Sequence, residues 1–340
     1  MINITNIFIM LGNECNLQCK YCIQHDIAKD VTPHGVNEKI IKYIHNVRKQ
    51  QKDPLQVTFY GGEPLIFWED IKEYVKQLKR VRFNIITNGK LLSQEKVTFL
   101  NEHHFSVGLS YDGINSIQTR GYDVLQDKRD LVLQLHKLCL TGVITKCNYP
   151  EEWFNEVNTF NQEYMKLHHY EVQTNLDLLL NNNDLHGLSD FDLKKLNSQM
   201  QNLCDHYLSV QLDEQPVQIS DLYIEKLLND LLLPYTSNFS KCRNGINILN
   251  IDTNGNMYIC HNTHIKIGDI TDNYLDLLKR VFAIDKTEER FNVKCKDCTV
   301  YPLCKCGCML SNEKTLNDYF CQLANAFYQP VIDLKEKFIN

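Results

Sequence analysis

Short apolar runs alternate with stretches whose apolar residues recur every three or four positions through the first half of the chain. Runs at 4–10, 57–60, 83–86, 105–109, 143–147 and 172–176 predict six strands. Between them, Ile40/Ile44/Val47, Trp68/Ile71/Val75/Leu78, Leu131/Leu135/Leu138 and Val157/Phe160/Tyr164 predict amphipathic helices, with Asn37 and Ser93 as N-caps. Repeated β–α units of this length imply a parallel sheet wound right-handed. Six of them predict an incomplete barrel, whose site should gather at the carboxyl ends of the strands.

The second half reads differently. Residues 181–184 form a polar break, and Leu193, Leu196, Met200, Leu203 and Tyr207 then repeat as one long amphipathic helix. Apolar segments at 246–251 and 257–260 flank Asn254-Gly255, a hairpin signal. Beyond residue 290 the chain is too rich in cysteine and too poor in apolar runs for an ordinary core, so metal is expected to hold it together. The predicted organisation is a barrel at 1–180, a bridging helical segment at 181–235, a cysteine-rich domain at 236–325 and a tail at 326–340.

Composition narrows the chemistry. Among 340 residues, 36 basic and 42 acidic side chains give a net charge of −6, which supplies no general attraction to nucleic acid or anionic membranes. No apolar run approaches the roughly 18 residues of a membrane span, and no signal peptide opens the chain, so a cytoplasmic protein is expected. Reduced thiols in that compartment favour metal ligation over disulfides. The 14 cysteines cluster: three lie at 15, 19 and 22, and eight lie between 242 and 321. Cys139, Cys147 and Cys204 stand apart and read as buried small hydrophobes.

Cys15-x-x-x-Cys19-x-x-Cys22 directly follows the first predicted strand. Three thiolates from one loop can hold three irons of a cubane cluster and leave the fourth iron open. Gly12, Asn13, Asn16, Gln18 and Lys20 argue against the alternative of a helix face packed in the core. With Tyr21 before the last cysteine, the loop resembles the cluster motif of the radical S-adenosylmethionine (SAM) superfamily. Gly61-Gly62-Glu63-Pro64, Thr87-Asn88-Gly89 and Ser110-Tyr111-Asp112-Gly113, at the ends of strands two to four, are similar to further motifs of that superfamily. The resemblance implies SAM contacts at Tyr21, Gly61, Gly62, Glu63, Ser110, Arg120 and Leu176. Arg120 lies two residues closer to Asp112 than in sulfatase-maturating members, which leaves a plain surface arginine as its alternative.

The C-terminal cysteines Cys242, Cys260, Cys295, Cys298, Cys304, Cys308 and Cys321 resemble the SPASM extension, which carries auxiliary iron–sulfur clusters. That resemblance implies one cluster on Cys295, Cys298, Cys304 and Cys321, and another on Cys242, Cys260 and Cys308. Structural zinc is the generic alternative for such spacing. Cys306 is an extra thiol: a spare, a reactive thiol, or the fourth ligand of the second cluster. His261 stands where sulfatase-maturating relatives have an Asp proton acceptor, and is either a base or a solvated hairpin residue.

Taken together, the resemblance implies a partial (β/α)6 TIM-type barrel with a bridging helical segment and a SPASM domain. It implies three [4Fe–4S] clusters and a 5′-deoxyadenosyl radical, made from SAM by reductive cleavage, that abstracts a substrate hydrogen. Peptide modification by crosslinking or side-chain oxidation is the leading expectation. The alternative is rearrangement or oxidation of a small metabolite or nucleobase, and a non-catalytic electron carrier is the third reading. A reductant such as flavodoxin or ferredoxin is expected. Because strand one begins almost at Met1, a peptide substrate is expected to need a separate carrier protein or direct capture by the barrel.

Overall fold

The computed structural model describes residues 3–26, 35–178, 191–232, 243–285, 291–308 and 318–339. Its main elements in chain order are β1 (Asn6–Met10), α1 (Glu38–Lys49), β2 (Leu55–Tyr60), α2 (Trp68–Gln77), β3 (Val81–Thr87), α3 (Gln94–Glu102) and β4 (Ser106–Ser110). Then come β5 (Leu138–Ile144), α4 (Pro150–His168), β6 (Gln173–Leu178), α5 (Leu193–Gln211) and α6 (Ile219–Leu232). The chain closes with β7 (Ile248–Asp252), β8 (Asn256–Tyr258), β9 (Lys266–Asp269), α7 (Tyr274–Ile284) and α8 (Asp318–Ile339). Two compact units result. The first holds residues 1–111, 121–139 and 243–284, and the second holds 112–120, 140–242 and 285–340.

In the first unit the strands run in the order β4-β3-β2-β1-β7-β8-β9. The pairs from β4 to β1 and the β1–β7 pair are parallel, whereas β7–β8 and β8–β9 are antiparallel. Local signals start the helices as expected: Asn37 Oδ1 accepts from Lys39 N at 2.9 Å and Ser93 Oγ from Lys96 N at 3.4 Å. The hairpin at Asn254-Gly255 also forms, with Gly255 at φ +89° and Asp252 Oδ1 accepting from Asn254 N and Asn256 N. Its first strand, however, lies beside β1 and extends the N-terminal sheet.

Each parallel strand of this unit shows two faces. Ile7, Ile9, Val57, Phe59, Ile85, Val107 and Leu109 form a buried apolar face. On the other face the register sets Asn250, Phe8, Thr58, Asn84 and Ser106 side by side. Thr58 Oγ1 donates to Asn6 Oδ1 at 3.0 Å and accepts from Asn84 Nδ2 at 3.3 Å. Filled barrels carry Val, Ile and Leu in that place; this face is largely polar, which suits it to lining a ligand.

The second unit contains β5 from Leu140 onward, β6, the helices α4, α5, α6 and α8, and the segment 291–308. Trp153 of α4 is fully buried, and a Cβ on Gly142 would lie 2.6 Å from its Nε1, so β5 can pass only as glycine. α8 buries Phe320, Leu323, Ala324, Phe327, Val331 and Leu334, and is tied to α5 by Asn197 Nδ2 donating to Ala326 O at 3.2 Å and by Lys337–Asp205 at 3.3 Å.

Several expectations need correction. The strand placed at 143–147 begins at Leu138, and the helix expected through Leu131, Leu135 and Leu138 is replaced by two short helical turns, Val124–Asp127 and Arg129–Val132, the second ending before Leu135. Leu138, Leu140, Gly142 and Ile144 alternate inward, and glycine hides that period because it has no side chain to score. Residues 326–340, read as a tail, are helical as far as Ile339. Of the three isolated cysteines only Cys204 is buried; Cys139 and Cys147 are half-buried, on the other face of β5 and in the turn after it. The polar break at 181–184 lies outside the described residues.

Candidate functional site

The triad loop leaves β1 and packs directly on the turn after β2. Gly62 N donates to Gly12 O at 2.9 Å and Glu63 N to Glu14 O at 2.8 Å, continuing the strand ladder into both loops. A Cβ on Gly61 would lie 2.2 Å from Gly12 O, and one on Gly62 would lie 2.3 Å from Glu14 O. Gly61 also holds φ +151°. Both glycines therefore let the cysteine loop lie against the turn. Tyr21 is buried at this loop. Cys15 and Cys22 are near enough to feel each other's charge; desolvation first, then Glu63 and Cys22, push the Cys15 thiol above its usual range.

Glu63 is fully buried and held by three hydrogen bonds from the chain itself, with acceptor capacity left on Oε2. Its Oε1 accepts from Leu65 N at 2.9 Å and Thr87 Oγ1 at 2.6 Å, while Oε2 accepts from Asn88 N at 2.8 Å. It thus caps the 3-10 turn Pro64–Phe67 and pins the turn after β3 to it. Burial nevertheless pushes its carboxyl above the usual range, against the pull of those hydrogen bonds. Ser110, half-buried, ends β4.

His261 is in the first unit. Its ring stacks on Phe8 at 4.2 Å and meets Tyr60 edge-on at 4.6 Å. Asn250 Nδ2 faces the acceptors Asn244 Oδ1 and the carbonyls of Tyr258 and Ile259, so its Oδ1 accepts from His261 Nδ1 at 3.2 Å. This leaves Nε2 with the lone pair. Desolvation pushes the imidazole down to about 4, so it is neutral near pH 7. Tyr60 OH and Gln24 Nε2 both donate to Asn262 Oδ1, at 2.7 and 3.0 Å. His261 is therefore a packed member of a polar cluster; the solvated-hairpin alternative does not describe it. Nothing in the sequence distinguished Gln24, Tyr60 and Asn262, which meet only through the sheet.

In the second unit Arg120 is buried and ion-paired, its Nε 3.1 Å from Asp112 Oδ2 and its Nη2 3.2 Å from Oδ1. Asp112 also accepts from Thr119 Oγ1 and Val143 N. The surface-arginine alternative is thereby excluded. Leu176 is buried on β6.

Cys295 ends a π-helical turn, Phe291–Cys295, and Cys304 ends the short helix Tyr301–Cys304. Burial, and then the charges of Cys295, Cys321 and Cys298, push the Cys304 thiol up to about 12. These four thiols share one electrostatic neighbourhood; among the described residues no three His, Cys, Asp or Glu side chains close to single-ion distances. Lys305, Cys306 and Gly307 run left-handed at φ +52°, +61° and +71°, and this turn buries Cys306. Cys260, buried just past β8, belongs to the first unit, Cys308 to the second, and Cys242 lies outside the described residues.

The donor chemistry fits a cluster at the N-terminal loop: three thiols on adjacent turns, beside the amide of Asn16, whose Nδ2 is buried without an acceptor. The family model of the radical SAM superfamily matches residues 9–138, so this part of the chain is a radical SAM domain. The chain is a radical SAM enzyme related to the sulfatase maturases. It is 26% identical to a cysteine-type anaerobic sulfatase-maturating enzyme of Clostridium novyi (strain NT), over 94% of this chain and 92% of that protein. A counterpart from Clostridium perfringens (strain 13 / Type A) is 24% identical over 93% and 92%. The structure of native anSMEcpe with bound AdoMet matches with a TM-score of 0.69 at 22% identity, covering 98% of this chain and all of that one. Streptococcus suis SuiB bound to precursor peptide SuiA gives 0.54 at 16% identity, covering 80% and 63%. The mixed α/β fold is the partial barrel of these enzymes. Among the described residues no helix is long and apolar enough to cross a membrane.

Proposed function

We propose that this enzyme cleaves SAM reductively and modifies a peptide side chain, by oxidation or crosslinking. The observation that carries the reading is the packing of the Cys15–Cys22 loop on Gly61-Gly62-Glu63 at the carboxyl ends of parallel strands. Similarity along nearly the whole chain to enzymes named for sulfatase maturation supports the peptide class. Bound at this loop, SAM and a [4Fe–4S] cluster supply a radical that abstracts a substrate hydrogen. Cys15, Cys19 and Cys22 would hold the cluster, and Tyr21, Gly61, Gly62, Glu63, Ser110, Arg120 and Leu176 would bind SAM. The Nε2 lone pair of His261, oriented by Asn250 and Phe8, would accept a hydrogen bond from substrate; with its imidazole pushed down to about 4 by burial, it is a weak proton acceptor near pH 7. The reductant is a flavodoxin- or ferredoxin-type protein, and the substrate arrives free or on a separate carrier.

Cys295, Cys298, Cys304 and Cys321 would hold one auxiliary cluster, a reading supported by the charges of Cys295, Cys321 and Cys298 acting on the Cys304 thiol. Cys242, Cys260 and Cys308 would hold the other, with one iron open to substrate. Anaerobic reconstitution should then approach about twelve irons per chain with little zinc. Saturation near four irons, with zinc making up the rest, would sink the auxiliary-cluster assignment. Incubation with dithionite and SAM should release 5′-deoxyadenosine, and its absence would refute the activity.

The extra thiol gives a separate test. Cys306 sits in a left-handed turn between Lys305 and Gly307, two residues from Cys308, where bending a second thiolate onto the cluster that Cys308 would hold is awkward. Cys306→Ala should leave iron content and turnover nearly unchanged. Loss of about four irons would instead make Cys306 the fourth ligand and close that cluster to substrate.

A further inference from the structure

Asn88 has no task in the reading above, yet its side chain touches the cysteine loop. It follows β3 and is buried. Its Oδ1 accepts from Lys90 N at 2.9 Å, which fixes the amide orientation and turns Nδ2 to the other partners. Nδ2 donates to Asn16 Oδ1 at 2.8 Å and to Cys15 Sγ at 3.8 Å. The backbone N–H of Asn88 is held by Glu63 Oε2 at 2.8 Å, so the residue is clamped from both ends. Because Asn16 turns its oxygen to Asn88, its own Nδ2 is a buried donor with no hydrogen-bond acceptor among the described residues.

We propose, resting on the assignment of Cys15 as a cluster ligand, that Asn88 is a positioning residue that makes the N-terminal cluster easier to reduce. Reduction adds one electron, delivered by the external donor, and changes no bond or proton. The added negative charge spreads onto the ligating sulfurs, so an N–H aimed at Cys15 Sγ stabilises the reduced form more than the oxidised one. Asn88 therefore shapes the reaction through Cys15.

The test is the midpoint potential of the holoenzyme's N-terminal cluster, read by electron paramagnetic resonance on the signal that changes when SAM is added. Asn88→Ala removes the donor without adding charge, and Asn88→Asp keeps the acceptor for Lys90 N. Both should assemble the cluster with wild-type iron content and shift its reduction equilibrium toward the oxidised form by up to about tenfold, or ~59 mV for one electron. The signals that do not respond to SAM should stay in place. Unchanged potentials in both variants would overturn the proposal while leaving the activity standing. Loss of the cluster in both, with lowered stability of the metal-free chain, would reduce Asn88 to a structural role. If the wild-type chain builds no SAM-responsive cluster, the functional reading fails and this inference falls with it.

Discussion

Replacing Cys15, Cys19 and Cys22 together by alanine should abolish 5′-deoxyadenosine formation and remove about four of the twelve irons expected per chain. All three thiols belong to one loop of the first unit, whereas the quartet of Cys295, Cys298, Cys304 and Cys321 belongs to the second. The C-terminal quartet should therefore keep its iron, and the visible absorption of the variant should fall without vanishing. The measurement is iron content and 5′-deoxyadenosine by chromatography after anaerobic reduction. Product at wild-type levels would remove the triad from the chemistry.

Glu63→Ala should damage the protein twice. Removing the carboxylate strands the Leu65 and Asn88 N–H groups and the Thr87 hydroxyl in a buried place. Each orphaned donor costs about 1–3 kcal/mol, and with relaxation the total should be about 3–5 kcal/mol, a large share of a typical folding stability. Urea unfolding of the metal-free chain reads this directly. SAM binding should weaken as well, by roughly 10- to 150-fold if Glu63 also accepts a charge-assisted hydrogen bond from the SAM ammonium group. Glu63→Gln keeps the size and one oxygen and should fall between wild type and alanine in both measurements. Unchanged stability with weakened SAM binding would assign Glu63 to the ligand alone and dismiss the clamp.

Much of the site was legible because its parts are local. A thiol spacing of four and three residues places Cys15, Cys19 and Cys22 on one loop whatever the rest of the chain does. Asn37 and Ser93 cap helices through N–H groups two or three residues away, so the sequence alone marks where those helices start. The repeated apolar periods identified the β–α units, and they failed at β5, where Gly142 erased the alternation. The helical period of Phe320, Leu323, Phe327, Val331 and Leu334 is present in the sequence too, directly beyond a cysteine-dense segment that has no such period.

Long-range pairing was not legible. An edge strand accepts any partner whose backbone groups match, so no residue in β7 announces that it will lie parallel to β1. That pairing sets Asn250 beside Phe8 and brings His261 onto the Phe8 ring, turning a hairpin residue into a half-buried, desolvated neutral imidazole. The glycines of the second turn announced only that some atom must come close; the folded chain shows the backbone of Gly12–Glu14 there. Sequence by itself determined the ligand types, their spacing and the β–α repeat, since these depend on contacts within a few residues. Only tertiary structure decided which loops touch and which polar groups satisfy one another, because burial and hydrogen-bond partners are set by chain segments far apart in sequence.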